Sequence, residues 1–194
     1  MKPMTKITSP IVAVMTNNVD TDQLVPRDAL KETSKTDLAA TLFHGQRYLA
    51  SGAKNPDFPL NDPTRAAAQI LITGENFGMG SVWEQAVWAL RDYGFRAVIA
   101  KSFNDIFYMN CIKNGVLPLT LAAADCDWLA ALPATTVVTI DLAQLTVQAA
   151  DKQFKFTIDP LWQDKLLQGI TDIEMTDSFD AQIAQFEQQQ NKTE

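Results

Sequence analysis

The sequence predicts an α/β fold in which a mostly parallel sheet is flanked by helices and supplemented by added antiparallel strands. From residue 69 to residue 121, short apolar segments alternate with helical segments in the order β-α-β-α-β. This order implies a parallel sheet with right-handed crossovers. Beyond residue 134, three apolar segments are separated only by short turns, which is typical of antiparallel strands.

The strands of the parallel sheet are predicted where short aliphatic or β-branched runs lie between turn residues. Pro118 indicates that the last of these strands lies at an edge or contains a bulge. Two helices are predicted between the strands, and Gly94 and Gly115 end them. The predicted strands are residues 10–15, 69–72, 96–100 and 116–121, and the helices are residues 81–93 and 104–114.

The regions on either side of this unit are less regular. Residues 28–66 combine a loop-like segment, "KETSKTD", with a segment of helical character, "LAATLFHGQRYLAS". The chain ends in a short helix, "PLWQDKLLQG", and a terminal helix whose Phe179, Ile183 and Phe186 form one apolar stripe. We find neither a repeat nor a linker, so we expect a single domain over residues 1–194, with a frayed tail at 188–194.

Composition and charge argue against several classes of protein. The net charge of −7 and the isoelectric point near 4.7 argue against binding to nucleic acid. No apolar run approaches the roughly 20 residues that span a bilayer, and the N-terminal residues lack the apolar segment of a signal peptide. We therefore expect a cytoplasmic protein that binds neither membranes nor nucleic acid.

The cysteine and histidine content limits metal binding. The chain contains two cysteines, Cys111 and Cys126, and one histidine, His44, and it has no Cys-x-x-Cys motif. A zinc or iron–sulfur site normally takes three or four such ligands, so the chain cannot build one alone. We expect two reduced, buried thiols. A catalytic Cys–His pair is not expected, because His44 lies in a loop-like stretch and Cys111 lies within a helix.

The segment "GENFGMGSVWEQAVWALRDYG" combines a glycine-rich turn with a helix. Ser81 and Glu84 fit a capping box, in which each side chain bonds the backbone N–H group of the other. The same geometry suits an anion, because a helix N-terminus is partly positive and Gly78 and Gly80 would let a ligand approach the backbone. The dinucleotide pattern fails because Trp83 replaces its third glycine, and the P-loop pattern is absent. A small carboxylate remains as the candidate anion.

A second candidate segment follows the first predicted strand. Ordinary turn chemistry explains the run Asp20-Thr21-Asp22. Alternatively, Thr21 and Asp22 point towards the turn at residues 78–81, since ligands of open parallel sheets bind at the carboxyl ends of the strands. Trp88 also has two interpretations: it belongs to a surface that a partner covers, or it packs under a loop of its own chain.

Three segments together resemble the small subunit of 3-isopropylmalate dehydratase, which is similar to the swivel domain of aconitase. They are "NNVDTDQLVP", residues 74–119 ("GENFGMGS" to "VLPL") and "ITDIEMTDSFDAQIAQFE", and the resemblance covers nearly the whole chain. It implies a swivelling β/β/α fold and a large partner subunit that carries a 4Fe–4S cluster, which makes a heterodimer. It also implies a hydro-lyase reaction of leucine biosynthesis, in which a small hydroxy-dicarboxylate, 2-isopropylmalate, is dehydrated and rehydrated to 3-isopropylmalate.

The resemblance also implies the site residues. Ser81 stands at the position of the family's catalytic serine base, within the turn of Gly78 and Gly80. Thr21 and Asp22 match positions that face the site and orient groups there. The chain itself would bind no metal.

Four positions of the turn depart from the family's pattern, Gly-x-Gly-Ser-Ser-Arg-Glu-His-Ala. Met79 replaces a cysteine, Val82 the second serine, Trp83 the arginine and Gln85 the histidine. The arginine would bind a substrate carboxylate through its planar fork, a charged hydrogen bond of roughly 1.5–3 kcal/mol.

Three other cations, Arg27, Arg47 and Lys101, are candidates to replace that arginine. Three functions remain open at this point. The chain is a catalytic small subunit of 3-isopropylmalate dehydratase, a subunit of a related hydro-lyase with a different hydroxy-acid substrate, or a degenerate non-catalytic paralogue that binds a partner subunit.

Overall fold

The computed structural model describes residues 1–28 and 38–190, and eight strands in these residues form two four-stranded sheets, one parallel and one antiparallel. The predicted loop "KETSKTD" and residues 191–194 of the predicted tail lie outside the described residues. Residues 188–190, which the sequence predicts to fray, belong to the terminal helix.

The parallel sheet has the strand order β2-β3-β4-β5. All four predicted strands are confirmed to within one residue at each end. Every residue of β3 and β4 is buried, which agrees with a parallel sheet that is covered on both faces. Pro118 lies in the edge strand, where a missing N–H group disrupts no central ladder. The strands are β2 (Ile11–Val14), β3 (Ile70–Thr73), β4 (Ala97–Ala100) and β5 (Leu117–Thr120).

The antiparallel sheet has the strand order β1-β6-β7-β8. The sequence predicts its last three strands as additions to the parallel sheet, but they form a separate sheet that β1 completes. Strand β1 was not predicted, because "KITS" contains a single aliphatic residue, Ile7. The strands are β1 (Lys6–Ser9), β6 (Val138–Asp141), β7 (Thr146–Ala149) and β8 (Lys152–Lys155).

The helices connect the strands and complete the chain. Gly94 ends α3 with φ of +115°, as predicted, and the apolar stripe of the terminal helix is exposed. Helix α5 was not predicted. Of the helices in the described residues, none is both long enough and apolar enough to span a membrane. The helices are α1 (Thr21–Leu24), α2 (His44–Arg47), α3 (Glu84–Tyr93), α4 (Asp105–Lys113), α5 (Ala123–Ala130), α6 (Pro160–Gln168), α7 (Asp172–Asp177) and α8 (Asp180–Gln190).

Two apolar clusters lie on opposite faces of the parallel sheet. Alternate strand residues such as Val12 and Leu71 pack against α3 and α4, whereas their neighbours Ile11 and Ile70 pack against the antiparallel sheet. The layers therefore follow the order antiparallel sheet, parallel sheet, helices. This is the β/β/α arrangement that the resemblance implies.

Candidate functional site

Two loops meet at the carboxyl end of the parallel sheet. The loop after β2 leads to Asp20 and α1, and the loop after β3 leads through the glycine turn to α3. The N–H groups of Gly78 and Met79 donate to the Val19 carbonyl at 2.9 and 3.2 Å, and the Thr21 N–H donates to the Met79 carbonyl at 3.0 Å. The fold therefore brings together the two segments that the sequence singles out.

Ser81 does not cap helix α3, so the predicted capping box is wrong. The helix begins at Glu84, and its N-cap, Trp83, makes no side-chain capping bond. Val82 has φ of +53°, which turns the backbone out of the helical path just before the helix starts. The Glu84 carboxylate instead accepts a hydrogen bond from Asn114 Nδ2 at 2.9 Å. Ser81 is exposed, so its hydroxyl is accessible to a ligand.

The two glycines of the turn make room for groups of the same chain. Gly78 is buried with φ of +77°, and a Cβ there would lie 2.1 Å from the Phe107 ring. Gly80 has φ of +87°, and a Cβ there would lie 2.3 Å from Asp20 Oδ2. The ring and the carboxylate occupy the space where a side chain would lie, and the assignment of Gly78 and Gly80 to substrate binding stays a prediction.

The Asp22 carboxylate lies between an indole and a guanidinium group. Trp83 Nε1 donates to Asp22 Oδ1 at 2.8 Å, and Arg27 Nε donates to Asp22 Oδ2 at 3.0 Å. The Arg27 side chain is 73% exposed. Trp83, at the position of the family's arginine, thus donates to the loop of Asp20 and Asp22, and Arg27 brings a positive charge to the same carboxylate.

Thr21, which immediately precedes Asp22, lies in the interior of the fold. Its side chain is fully buried, and its Oγ1 has no hydrogen-bond partner in the described part of the chain. The assignment of Thr21 to substrate binding stays a prediction, since in this chain its hydroxyl is buried. The backbone N–H of Thr21, which holds the two loops together, is its contribution to the site.

Of the three cations considered as substitutes for the family's arginine, Arg27 alone contacts the site residues. The Arg47 guanidinium is buried, donates to the carbonyls of Ala39 and Leu42 at 2.9 and 3.1 Å, and therefore supports the fold. Lys101 pairs with Asp127 at 2.8 Å, and this hydrogen bond is the main reason that the pKa of Lys101 is raised.

Trp88 packs against its own chain. Its Nε1 lies 3.0 Å from Asn114 Oδ1 and 3.3 Å from Glu84 Oε1, and its ring packs against the apolar cluster beneath α3. Of the two interpretations of Trp88, the structure favours packing within the chain over a surface that a partner covers.

The two thiols are fully buried within the apolar clusters. Burial raises the pKa of Cys111, and burial likewise raises the pKa of Cys126 to about 11. His44 is exposed, away from both buried thiols. Within residues 1–28 and 38–190, no group of three His, Cys, Asp or Glu side chains could hold a metal ion. The donor set of these residues does not fit an iron–sulfur cluster, because such a cluster needs accessible thiolates.

Asp20 organises the loop after β2, although the motif singles out only Thr21 and Asp22 as candidate site residues. Its side chain accepts from the Asp22 N–H at 2.8 Å and forms a capping box with Gln23, while its carboxylate lies against Gly80. The spacing of an acidic residue three positions before a glutamine was the available signal for this cap.

The layered β/β/α fold and the two joined loops define the class of protein. The model of the aconitase C-terminal domain family matches residues 1–124. The solved 3-isopropylmalate dehydratase from Methanocaldococcus jannaschii superposes with a TM-score of 0.69 at 26% identity, over 93% of this chain and 98% of that chain.

Curated relatives narrow the class further. The 3-isopropylmalate dehydratase small subunit of Bacillus cytotoxicus is 45% identical over 97% of both chains, and that of Limosilactobacillus fermentum is 47% identical over 97% of both chains. The chain belongs to the family of 3-isopropylmalate dehydratase small subunits, within the aconitase C-terminal domain family.

Proposed function

We propose that the chain is the small subunit of a cytoplasmic 3-isopropylmalate dehydratase and that, with a large subunit, it converts 2-isopropylmalate to 3-isopropylmalate. The observation that carries this proposal is the position of Ser81, which is exposed on a turn hydrogen-bonded to the loop of Asp20 and Asp22. Because Ser81 lies on an exposed surface, a large subunit that covers this surface would complete the site.

In this proposal Ser81 is the catalytic base. Its Oγ takes the proton from the carbon beside the hydroxyl-bearing carbon, while the C–O bond to the departing hydroxide breaks. A deprotonated serine needs nearby positive charge. Arg27, which pairs with Asp22 in the adjoining loop, is the candidate of this chain in the proposal. In this proposal the Nη groups of Arg27 bind one substrate carboxylate.

The other residues of the site position these groups. Asp22 orients Arg27, and Trp83 fixes Asp22 from the other side. A 4Fe–4S cluster belongs to the large subunit in this proposal, where it would act as the Lewis acid for the departing hydroxide.

The test is to co-purify the chain with its large subunit under anaerobic conditions and to measure the hydration of 2-isopropylmaleate. Removing a general base typically costs 10²–10⁴-fold in rate, so we expect Ser81→Ala to lose about 10³-fold in kcat. The Ser81→Ala chain should still co-purify with the large subunit, because the hydroxyl makes no structural bond at the helix cap.

Ser178→Ala is the matched control, since Ser178 is also exposed and its hydroxyl donates to the nearby Met175 carbonyl. It should leave kcat unchanged. Retention of full activity by Ser81→Ala would contradict the assignment of Ser81 as the base.

A second candidate function, a non-catalytic subunit that binds a partner, is favoured by Val82 and Trp83, which remove a hydroxyl and a cation from the turn. In that case the wild-type complex forms but is silent, and Val82→Ser together with Trp83→Arg creates activity. Turnover of a different hydroxy acid alone would instead indicate a related hydro-lyase.

A further inference from the structure

A cavity of about 340 Å³ lies at the end of the parallel sheet opposite Ser81. Arg96 immediately precedes β4 and Gly115 shortly precedes β5, so the cavity lies at the amino ends of these strands, whereas the Ser81 turn follows the carboxyl end of β3. None of the candidate site residues contributes to it. Its lining residues are Met1, Lys2, Arg91, Arg96, Asn114 and Gly115.

The charge of this cavity is positive although the chain is acidic. Lys2, Arg91 and Arg96 line it, and no carboxylate does, in a chain whose net charge is −7. In the described part of the chain, none of these three side chains forms an ion pair or donates a hydrogen bond. Three cations that line one cavity without a carboxylate create a positive local potential, which favours a bound anion.

Hydrogen bonds to the terminal carbonyls of α3 and α4 do not explain why basic side chains lie at this cavity. A basic residue in the last turn of a helix can satisfy terminal carbonyls. Here backbone N–H groups already bond the carbonyls of Leu90 and Arg91 at the end of α3, and those of Cys111 and Ile112 at the end of α4. The side chain of Asn114, which also lines the cavity, already forms hydrogen bonds with Trp88 and Glu84. The guanidinium groups therefore keep their donors for a ligand.

We infer that this cavity binds a small organic dianion, a dicarboxylate or a phosphate monoester, at a site separate from the one that contains Ser81. The volume lies within the usual range of roughly 300–1,000 Å³ for small-molecule sites. Two guanidinium groups present the planar forks that recognise carboxylate and phosphate oxygens, and Lys2 adds a third charge. The side chain of Met1, which lies beside Gly115, offers apolar surface to the carbon part of the ligand.

The test is calorimetric titration of the full chain with malonate and, separately, with glycerol phosphate, at constant ionic strength. We expect saturable binding of at least one of them, with sodium chloride at the same ionic strength giving no binding. Arg91→Gln and Arg96→Gln should each weaken binding at least tenfold. Arg96→Lys should weaken it less than Arg96→Gln, because it keeps the charge and loses the fork.

Lys113→Gln is the matched control, because Lys113 is exposed beside Asn114 but does not line the cavity. It and Ser81→Ala should leave the affinity unchanged. The inference is overturned if neither dianion binds, if Lys113→Gln weakens binding as much as Arg96→Gln, or if Ser81→Ala abolishes binding. Because no catalysis is measured, failure of the proposed enzymatic function would not alter this result.

Discussion

The Asp22 carboxylate has both oxygens engaged, one by Trp83 and one by Arg27. The family's pattern places an arginine at position 83, where this chain has an indole that donates one hydrogen bond and carries no charge. The positive charge now reaches the same carboxylate from Arg27, five residues along the other loop. At the residue scale, a cation therefore contacts Asp22 although position 83 carries none.

This arrangement predicts the effect of removing that cation. Arg27→Gln should raise KM for the isopropylmalates by about 10- to 100-fold, because a charged hydrogen bond contributes roughly 1.5–3 kcal/mol to binding. Adding Trp83→Arg to Arg27→Gln should recover most of the loss. Steady-state kinetics of the assembled enzyme measure both effects.

Lys101→Gln serves as the control, because its cation pairs with Asp127 and not with Asp22. An unchanged KM in Arg27→Gln would refute the role given to Arg27, whatever the activity of Ser81→Ala.

Gly78 illustrates a residue that the fold requires for steric reasons. We expect Gly78→Ala to destabilise the chain by about 3 kcal/mol or more, because it adds a Cβ against the buried Phe107 ring and places alanine at positive φ. Gly52 has φ of +81° with nothing near its Cβ, so Gly52→Ala should cost only about 1 kcal/mol. Urea unfolding measures both, and equal losses would show that the contact with Phe107 is unimportant.

At the scale of elements, the antiparallel sheet relies on hairpin turns that contain non-glycine residues with positive φ. Leu145 and Ala150 have φ of +54° and +49°, in the turns before β7 and before β8. Such residues cost about 1–2 kcal/mol each relative to glycine. The register of the strands nevertheless holds, since Val147 and Ala149 are buried in the cluster between the two sheets.

A substitution in the turn between β7 and β8 can therefore increase the stability of the fold. Ala150 is exposed, so Ala150→Gly removes backbone strain without removing packing and should raise the free energy of unfolding by about 1 kcal/mol. Ala143 is an exposed turn residue without positive φ, and Ala143→Gly should lower stability slightly. Chemical denaturation measures whether each variant is more or less stable than the wild type. A loss of stability in Ala150→Gly would contradict the backbone strain assigned to Ala150.

At the scale of the whole molecule, the packing of the two apolar clusters determines the response to alkaline pH. Cys111 lies in the cluster beneath α3 and Cys126 in the cluster between the sheets. Burial raises the pKa of the Cys126 thiol from its ordinary value of 9.0 to about 11 and also raises the pKa of Cys111. The unfolded chain therefore loses these protons at lower pH than the folded chain does.

The sign of the resulting pH dependence follows from proton binding. Between pH 9 and pH 11 the folded state holds more protons than the unfolded state, so stability should fall as pH rises. Each pKa unit corresponds to about 1.4 kcal/mol. Under reducing conditions, Cys126→Ala should make the fall in urea midpoint between pH 9 and pH 11 less steep. An identical slope in this variant would show that the thiol does not titrate with unfolding.

The sequence by itself determined the four parallel strands, the glycine end of α3 and the family, because aliphatic runs, turn residues and motifs are local signals. Tertiary structure decided the rest. Strand β1 exists because it pairs with β6, far along the chain. Helix α3 starts at Glu84 and not at Ser81 because Val82, with φ of +53°, turns the backbone out of the helical path. Arg27, rather than Arg47 or Lys101, pairs with Asp22 because Arg47 bonds backbone carbonyls and Lys101 pairs with Asp127. Which partner each cation finds depends on how the elements pack, and no local pattern encodes that packing.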